Sequence, residues 1–289
     1  MADIISLDPS INNFAVFGNP VSHSKSPQIH TLFAKQTGLS LHYQSIEIPL
    51  GKFTDSVKAF SLQGGKGLNI TVPFKEEAYS ICTSLTKRAK LAGSVNTIWF
   101  GDDSSIYGDT TDGQGLINDL TKNHNLNLKN KSLLVLGAGG SVKSILEPLL
   151  KQEPERIVIA NRTLTKAESL SKKFSKKGNI EVCSYNDLSN QSFDLIINGT
   201  SLSLHDELPP LPDTILNKNS CCYDLMYADE ATVFMKWAIQ NGAVSVLDGL
   251  GMLVEQAAES FNLWHGIKPA TKPVIEFLRN NQTDGDVGC

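Results

Sequence analysis

The stretch LLVLGAGGSVKSILEPLL, residues 133–150, limits what this chain can fold into more than any other. Four apolar residues of a strand run straight into Gly137, Ala138, Gly139 and Gly140, and a helical pattern begins at once. A backbone turns that sharply where side chains without Cβ leave room for it. The same absence lets the turn's N–H groups and the start of the helix come close to a pyrophosphate.

A glycine-rich turn by itself is weak evidence, but this one opens a series. SLLVLG, RIVIAN, NIEVCSY, DLIINGT, CCYDLMY and VSVLDG read as strands. Helical segments separate them, most clearly SVKSILEPLLKQ, TKAESLSKKFSK and ATVFMKWAIQNG. Strands alternating with helices predict an α/β fold with a doubly wound, Rossmann-type parallel sheet. Gly137, Ala138, Gly139, Gly140 and Ser141 then form the phosphate-binding turn. Val142 occupies the third small position of GxGxxG, which predicts looser packing between helix and strand.

The second strand of the series ends IVIANRT. An acidic residue there would bind the ribose 2′-hydroxyl of NAD, whereas this chain has Asn161, Arg162 and Thr163, with Lys166 on the next turn. Nothing anionic repels a 2′-phosphate, and the planar fork of Arg162 suits one, so NADP (NADPH) is the expected cofactor. Lys166 fits the phosphate or the solvated helix face, and Lys143 is equally open.

At 289 residues the chain exceeds one ordinary core, so two domains are expected. In the first part, FAVFG, LHYQSIEI, GLNITV and NTIWFG read as strands, with SPQIHTLFAKQTG and KFTDSVKAFSLQ as helices between the first three. That alternation predicts parallel pairing. Ser26 before Pro27 reads as a helix N-cap, and Gly38 as the C-cap. LGMLVEQAAESFNLWHG is a strong amphipathic helix with no strand left to feed, so it is expected to return to the first domain. The reading is thus 1–112 plus 249–289 for a mixed α/β domain and 113–248 for the cofactor domain. The last ten residues, NNQTDGDVGC, read as a frayed tail.

Composition narrows the partners. With 40% hydrophobic and 19% charged residues and a net charge of -4, the chain fits a globular protein with a small-molecule ligand and no nucleic acid. No apolar run reaches the length of a membrane span, so no membrane is expected. Five cysteines without CxxC spacing (Cys82, Cys183, Cys221, Cys222, Cys289) and no leader-like start read as cytoplasmic and reduced. Of the adjacent Cys221 and Cys222, alternate facing would bury one. Six histidines without HExxH spacing imply no metal, and LHDELPPLPD, with His205, Asp206 and Glu207, reads as a solvated loop. A monomer or a homodimer is expected.

The remaining blocks align with one family. GNPVSHSKSP, NITVPFKEEA, AGSVNT, GDTTDG, GAGG, NRT, YDLMY and DGLGMLVEQAA, in that order and across nearly the whole chain, resemble the shikimate dehydrogenases. The resemblance implies reversible, NADPH-dependent reduction of 3-dehydroshikimate to shikimate, with a substrate domain and a Rossmann domain on either side of a cleft. It implies that Lys75 and Asp112 are the catalytic pair and that Ser24 and Ser26 bind the carboxylate. Thr71 and Tyr227 become further hydroxyl contacts, and Asn96 with Gln256 the amides that hold ring hydroxyls. Gly249 and Met252 fall at the nicotinamide end.

Each role also has a bland counterpart in the residues themselves: Ser26 a cap, Lys75 a surface lysine, Met252 plain core, Asn69 a shaper of its turn. Thr110 stands where many relatives have asparagine, which is expected to alter the support of Asp112. NGTSLSL departs from their usual NATS continuation. The competing readings are a quinate/shikimate dehydrogenase using NAD, a folate-type dehydrogenase of similar architecture, and a non-catalytic NADP-binding regulator on the same fold.

Overall fold

The computed structural model describes residues 7, 8, 10–103 and 105–281. Its contacts divide the chain into two compact units, the first running to Gly115 and resuming over Leu253–Leu278, the second covering Leu116–Met252 and resuming at Arg279.

In the first unit, β1 (Asn13–Gly18), α1 (Ser26–Thr37), β2 (His42–Glu47), α2 (Phe53–Leu62) and β3 (Gly65–Ile70) alternate, and β1 lies parallel between β2 and β3. There follow α3 (Lys75–Ile81), β4 (Ser84–Leu85), α4 (Lys87–Ala92), β5 (Thr97–Phe100), β6 (Ile106–Asp109) and α5 (Asp112–Asn118). The sheet order is β2-β1-β3-β5-β6-β4, with β5 antiparallel to both neighbours, so the sheet is mixed. β4 and β6 are absent from the sequence reading, because two and four residues are too few for alternation to show.

Helix α1 starts one residue differently from the expectation. Lys25 is its N-cap, and Ser26 is the first helical residue and makes no side-chain cap bond. Instead the Ser24 hydroxyl accepts the Ser26 N–H at 3.3 Å. Pro27 in the first turn and Gly38, left-handed at φ 70°, bound the helix as read.

Side chains alternate across β1 and build two cores. Ala15 and Phe17 face Phe53, Val57, Phe60 and Phe74. Phe14 and Val16 face Tyr43 and Trp264. The second core also holds His30, fully buried, its ring stacked on Tyr43 at 4.1 Å and close to Trp264 at 5.4 Å.

The second unit contains β7 (Ser132–Leu136), α6 (Gly140–Leu150), β8 (Arg156–Ala160), α7 (Leu164–Phe174), β9 (Ile180–Cys183), β10 (Phe193–Asn198), β11 (Leu216–Asp224), α8 (Val233–Gln240) and β12 (Ser245–Leu247). All six strands are parallel, in the order β9-β8-β7-β10-β11-β12. This is the doubly wound arrangement, with its reversal of strand order between β7 and β10. Cys221 and Cys222 are both buried, against the expectation of one, because β11 is an interior strand flanked by β10 and β12 and covered on both faces. Burial pushes their thiols up to about 11 and about 12.

The chain closes with α9 (Leu250–His265) and α10 (Lys272–Asn280), the first-unit share beginning at Leu253. Helix α10 was not read from the sequence, and it takes in Asn280, the first residue of the expected tail; residues 282–289, Cys289 among them, lie outside the described residues.

His30 makes folding sensitive to acid. Burial among rings lowers its pKa from 6.5 to about 3, with His265 pushing the same way. The unfolded chain therefore binds this proton first, so the stabilisation is complete above pH 6.5 and is lost as pH falls toward 3. At pH 5 the loss is about 2 kcal/mol. Denaturant titrations at pH 7 and pH 5 will show a smaller drop for His30→Phe than for the unaltered protein; equal drops would clear His30 of the effect.

Candidate active site

Lys75 is the first residue of α3, delivered there by the end of β3 and a cis Val72–Pro73 peptide. Phe74, just before it, stacks on Phe53 at 4.9 Å and anchors the turn in the core. The Lys75 carbonyl accepts the Val95 N–H at 2.9 Å, which ties the start of α3 to the entry of β5. Asp112 opens α5, where a helix N-terminus favours negative charge.

The two side chains meet. Lys75 Nζ lies 2.7 Å from Asp112 Oδ2, with the lysine side chain 14% exposed and the aspartate 6%. Asp112 Oδ1 accepts from Asn96 Nδ2, also at 2.7 Å. That amide nitrogen further approaches Gln256 Oε1 at 3.1 Å and Thr111 Oγ1 at 2.9 Å. On its other side Asn96 Oδ1 accepts from the Thr111 N–H at 2.8 Å and the Thr97 hydroxyl at 2.9 Å. Asn96 is thus held at both ends.

The polar network continues beyond the residues predicted. Thr97 Oγ1 and Ser260 Oγ are 2.8 Å apart, and Asn69 Nδ2 donates to Ser260 Oγ at 3.0 Å. Asn69 Oδ1 accepts from the Tyr43 hydroxyl at 2.8 Å. Asn69 therefore does more than shape its turn. The sequence reading left Asn69 as a shaper of its turn and did not name Thr97, Thr111 or Ser260, although a sign was there: Asn69 and Thr97 interrupt apolar strands, and Ser260 stands four residues from Gln256 on one helix face.

Thr110 supplies no side-chain bond to Asp112. Its buried hydroxyl has no hydrogen-bond partner among the described residues, and Asp112 takes its bonds from Lys75 and Asn96. The neighbouring Asp109 is the residue that GDTTDG fastens most firmly, through two bonds from Arg88 at 2.7 and 2.6 Å. Ser24 and Thr71 follow β1 and β3, adjacent strands of the first-unit sheet, and both are half-buried.

Tyr227 and the expected cofactor residues belong to the second unit. Tyr227 follows β11 and is half-buried. Gly137 follows β7 with φ 102°, a left-handed value that disfavours any side chain. Gly139 caps α6 without a side-chain bond, and a Cβ there would meet nothing within 4 Å. The open space and the uncapped helix start suit a pyrophosphate lying on the turn, with Ala138, Gly140 and Ser141 completing it. After β8, Asn161 Nδ2 donates to the Thr163 carbonyl at 2.8 Å, while Arg162, Thr163 and Lys166 are exposed. The acidic groups of this turn are absent, as read. Gly249 precedes α9, and Met252, in its first turn, is buried.

Three family models match in chain order: "Shikimate dehydrogenase substrate binding domain" over residues 16–98, "Shikimate / quinate 5-dehydrogenase" over 119–205 and "Shikimate 5'-dehydrogenase C-terminal domain" over 249–279. A curated relative, "Shikimate dehydrogenase (NADP(+))" of Cellvibrio japonicus, is 55% identical over 268 residues, 92% of this chain and 96% of that one. The chain belongs to the shikimate dehydrogenase family. Among solved structures, an "Ael1 enzyme" from Pseudomonas putida matches with a TM-score of 0.87 at 41% identity, covering 92% of this chain and 98% of that one. The shikimate dehydrogenase of Thermus thermophilus in complex with NADP(H) and shikimate matches with 0.82 at 29%, covering 93% and 99%.

The departure from GxGxxG at Val142 and the departure from NATS at Gly199 explain each other. Val142 is fully buried, so the predicted looseness of helix and strand does not occur. A Cβ on Gly199 would come within 2.5 Å of Val142 Cγ2, so glycine in NGTS leaves the room that valine fills. Gly199→Ala will therefore destabilise the protein by about 1–3 kcal/mol through overpacking, and adding Val142→Ala will restore most of the loss. Thermal unfolding of the two single variants and the double variant checks this, and additive losses would break the pairing.

Proposed function

We propose that this protein catalyses the reversible, NADP-dependent reduction of 3-dehydroshikimate to shikimate, with Lys75 and Asp112 as the catalytic pair. The observation that carries the reading is the 2.7 Å contact between Lys75 Nζ and Asp112 Oδ2, with Asn96 on the other carboxylate oxygen and Gln256 beside it. A non-catalytic regulator would have no need to hold a lysine and an aspartate in this way. Curated relatives at 50–55% identity named as NADP-dependent shikimate dehydrogenases support the activity and the cofactor.

When bound, NADPH supplies the hydride that adds to the substrate's carbonyl carbon. Lys75, as an ammonium, hydrogen-bonds the carbonyl oxygen, stabilises the negative charge that develops there and gives it a proton. Shikimate oxidation runs the same steps backward. Asp112 orients Lys75 and the reacting oxygen, a role that leaves its carboxylate ionised. Ser24 and Ser26 donate to the substrate carboxylate, while Asn96, Gln256, Thr71 and Tyr227 hold ring hydroxyls. The first unit is accordingly the substrate domain and the second the cofactor domain.

In the cofactor domain, Gly137, Ala138, Gly139, Gly140 and Ser141 receive the pyrophosphate. Arg162, Thr163 and Lys166 meet the 2′-phosphate, with Asn161 shaping their turn. Gly249 and Met252 lie at the nicotinamide end. The enzyme works in the cytoplasm, where its described cysteines, all free, stay reduced, as a monomer or a homodimer.

A spectrophotometric assay with shikimate and NADP tests the activity, and absence of turnover would favour the regulator. Running quinate and NAD in parallel separates the quinate-type reading. Lys75→Ala and Lys75→Gln will each lower kcat about 100- to 10,000-fold with a modest change in shikimate KM. Unaltered kcat would remove the role given to Lys75. Replacing Arg162 with Ala will raise the KM for NADP about tenfold or more and leave that for NAD nearly as it was.

A further inference from the structure

Asp224 ends β11 with its side chain fully buried, and neutral donors surround the carboxylate. Thr232 Oγ1 donates to Oδ2 at 2.7 Å and Ser203 Oγ to the same oxygen at 3.0 Å. The Met226 N–H donates to Oδ1 at 3.1 Å and Asn198 Nδ2 at 3.2 Å. Burial raises the pKa of this group and the four hydrogen bonds lower it. A carboxylate so placed is costly, and an apolar residue would fill an interior strand end at less cost.

What the carboxylate fastens is specific. Asn198 ends β10, and its Oδ1 accepts from the Thr200 N–H at 3.2 Å and hydroxyl at 2.8 Å, while its amide nitrogen also reaches Ser203 Oγ at 3.1 Å. The segment 198–203 is therefore bound to Asp224 at both ends. This segment abuts the phosphate-binding turn, since a Cβ on Gly137 would meet the Gly199 carbonyl oxygen at 3.0 Å and Thr200 Cγ2 at 3.4 Å. Met226, beside Asp224, accepts the Gly249 N–H through its carbonyl at 2.9 Å, and a Cβ on Gly249 would strike the Leu225 carbonyl oxygen at 2.2 Å. Three segments, 198–203, 225–227 and the lead into Met252, thus take their positions from one side chain.

All three lie on the β10–β11 side of the strand-order reversal, whereas Arg162 lies on the β8 side. A dinucleotide on the Gly137 turn extends its two halves to opposite sides of that reversal. We propose that Asp224 is a positioning residue for the nicotinamide half of the cofactor, fixing the segments that hold it through the hydrogen bonds of Asn198, Ser203 and Met226. The proposal rests on the NADP reading above.

Asp224→Asn and Ser203→Ala, made in the full chain, provide the test, with dissociation constants measured for NADPH and for adenosine 2′,5′-bisphosphate, which lacks the nicotinamide half. Asp224→Asn will weaken NADPH about tenfold or more and Ser203→Ala about threefold, each leaving the bisphosphate within about twofold. The kcat for shikimate will fall in the same order. Equal weakening of both ligands would reduce Asp224 to a merely structural residue and overturn the proposal, as would no change in either. If the unaltered protein binds NADPH and does not oxidise shikimate, the functional reading fails while the two constants still judge Asp224. An unaltered protein that binds no NADPH removes both.

Discussion

The burial of the Asp112 carboxylate is the constraint from which the first unit's polar architecture follows. A carboxylate with 4% of its residue surface exposed must have both oxygens met by donors, because an unpartnered buried charge costs several kcal/mol. Lys75 satisfies one oxygen and Asn96 the other. Asn96 can do so only while Thr97 and Thr111 hold its carbonyl end, and they in turn engage Ser260. Strand β5, helix α5 and helix α9 are thereby tied to one side chain, and a lysine that is not a core residue by nature is held at a fixed point. The arrangement that keeps the charge tolerable also fixes where the Lys75 side chain ends.

The second unit meets a different constraint, that of a sheet buried on both faces. Its strands are apolar almost throughout because helices cover both faces of the sheet. The polar groups collect at strand ends, where Asn198 and Asp224 stand at the last residues of β10 and β11. Packing decides the details, as Val142 shows: the larger side chain in the helix is matched by the smaller one in the loop after β10. A motif judged by one strand and one helix alone misses that the third contact surface belongs to another strand.

The longer elements were legible because their periodicity is strong. Strands β1, β2, β3 and β7 to β12, and helices α1, α2, α6, α7, α8 and α9, all fall where the alternation of apolar residues puts them. Short elements such as β4 and β6 were not, since they owe their shape to pairing with each other and with β5. Cap chemistry was also illegible: Ser26 before Pro27 reads as the N-cap, whereas the path of the chain puts Lys25 there and leaves the Ser26 N–H to the Ser24 hydroxyl. In the site, Lys75, Asp112, Asn96 and Gln256 were named by resemblance and are found together. Asn69, Thr97 and Ser260 were not, because nothing in a linear pattern tells a buried polar residue with partners from a turn-former.

The amino-acid order alone determined the alternation of strand and helix, the glycine turn after β7 and the absence of an acid after β8, since each of these depends on neighbours within a few residues. Tertiary structure decided which hydroxyls and amides converge on Asp112, which loop makes room for Val142 and which neutral donors meet the buried Asp224. Those outcomes depend on groups as far as 191 positions apart, as in the Asn69–Ser260 contact, and only a folded sheet brings such groups within the 3 Å or so over which a hydrogen bond acts.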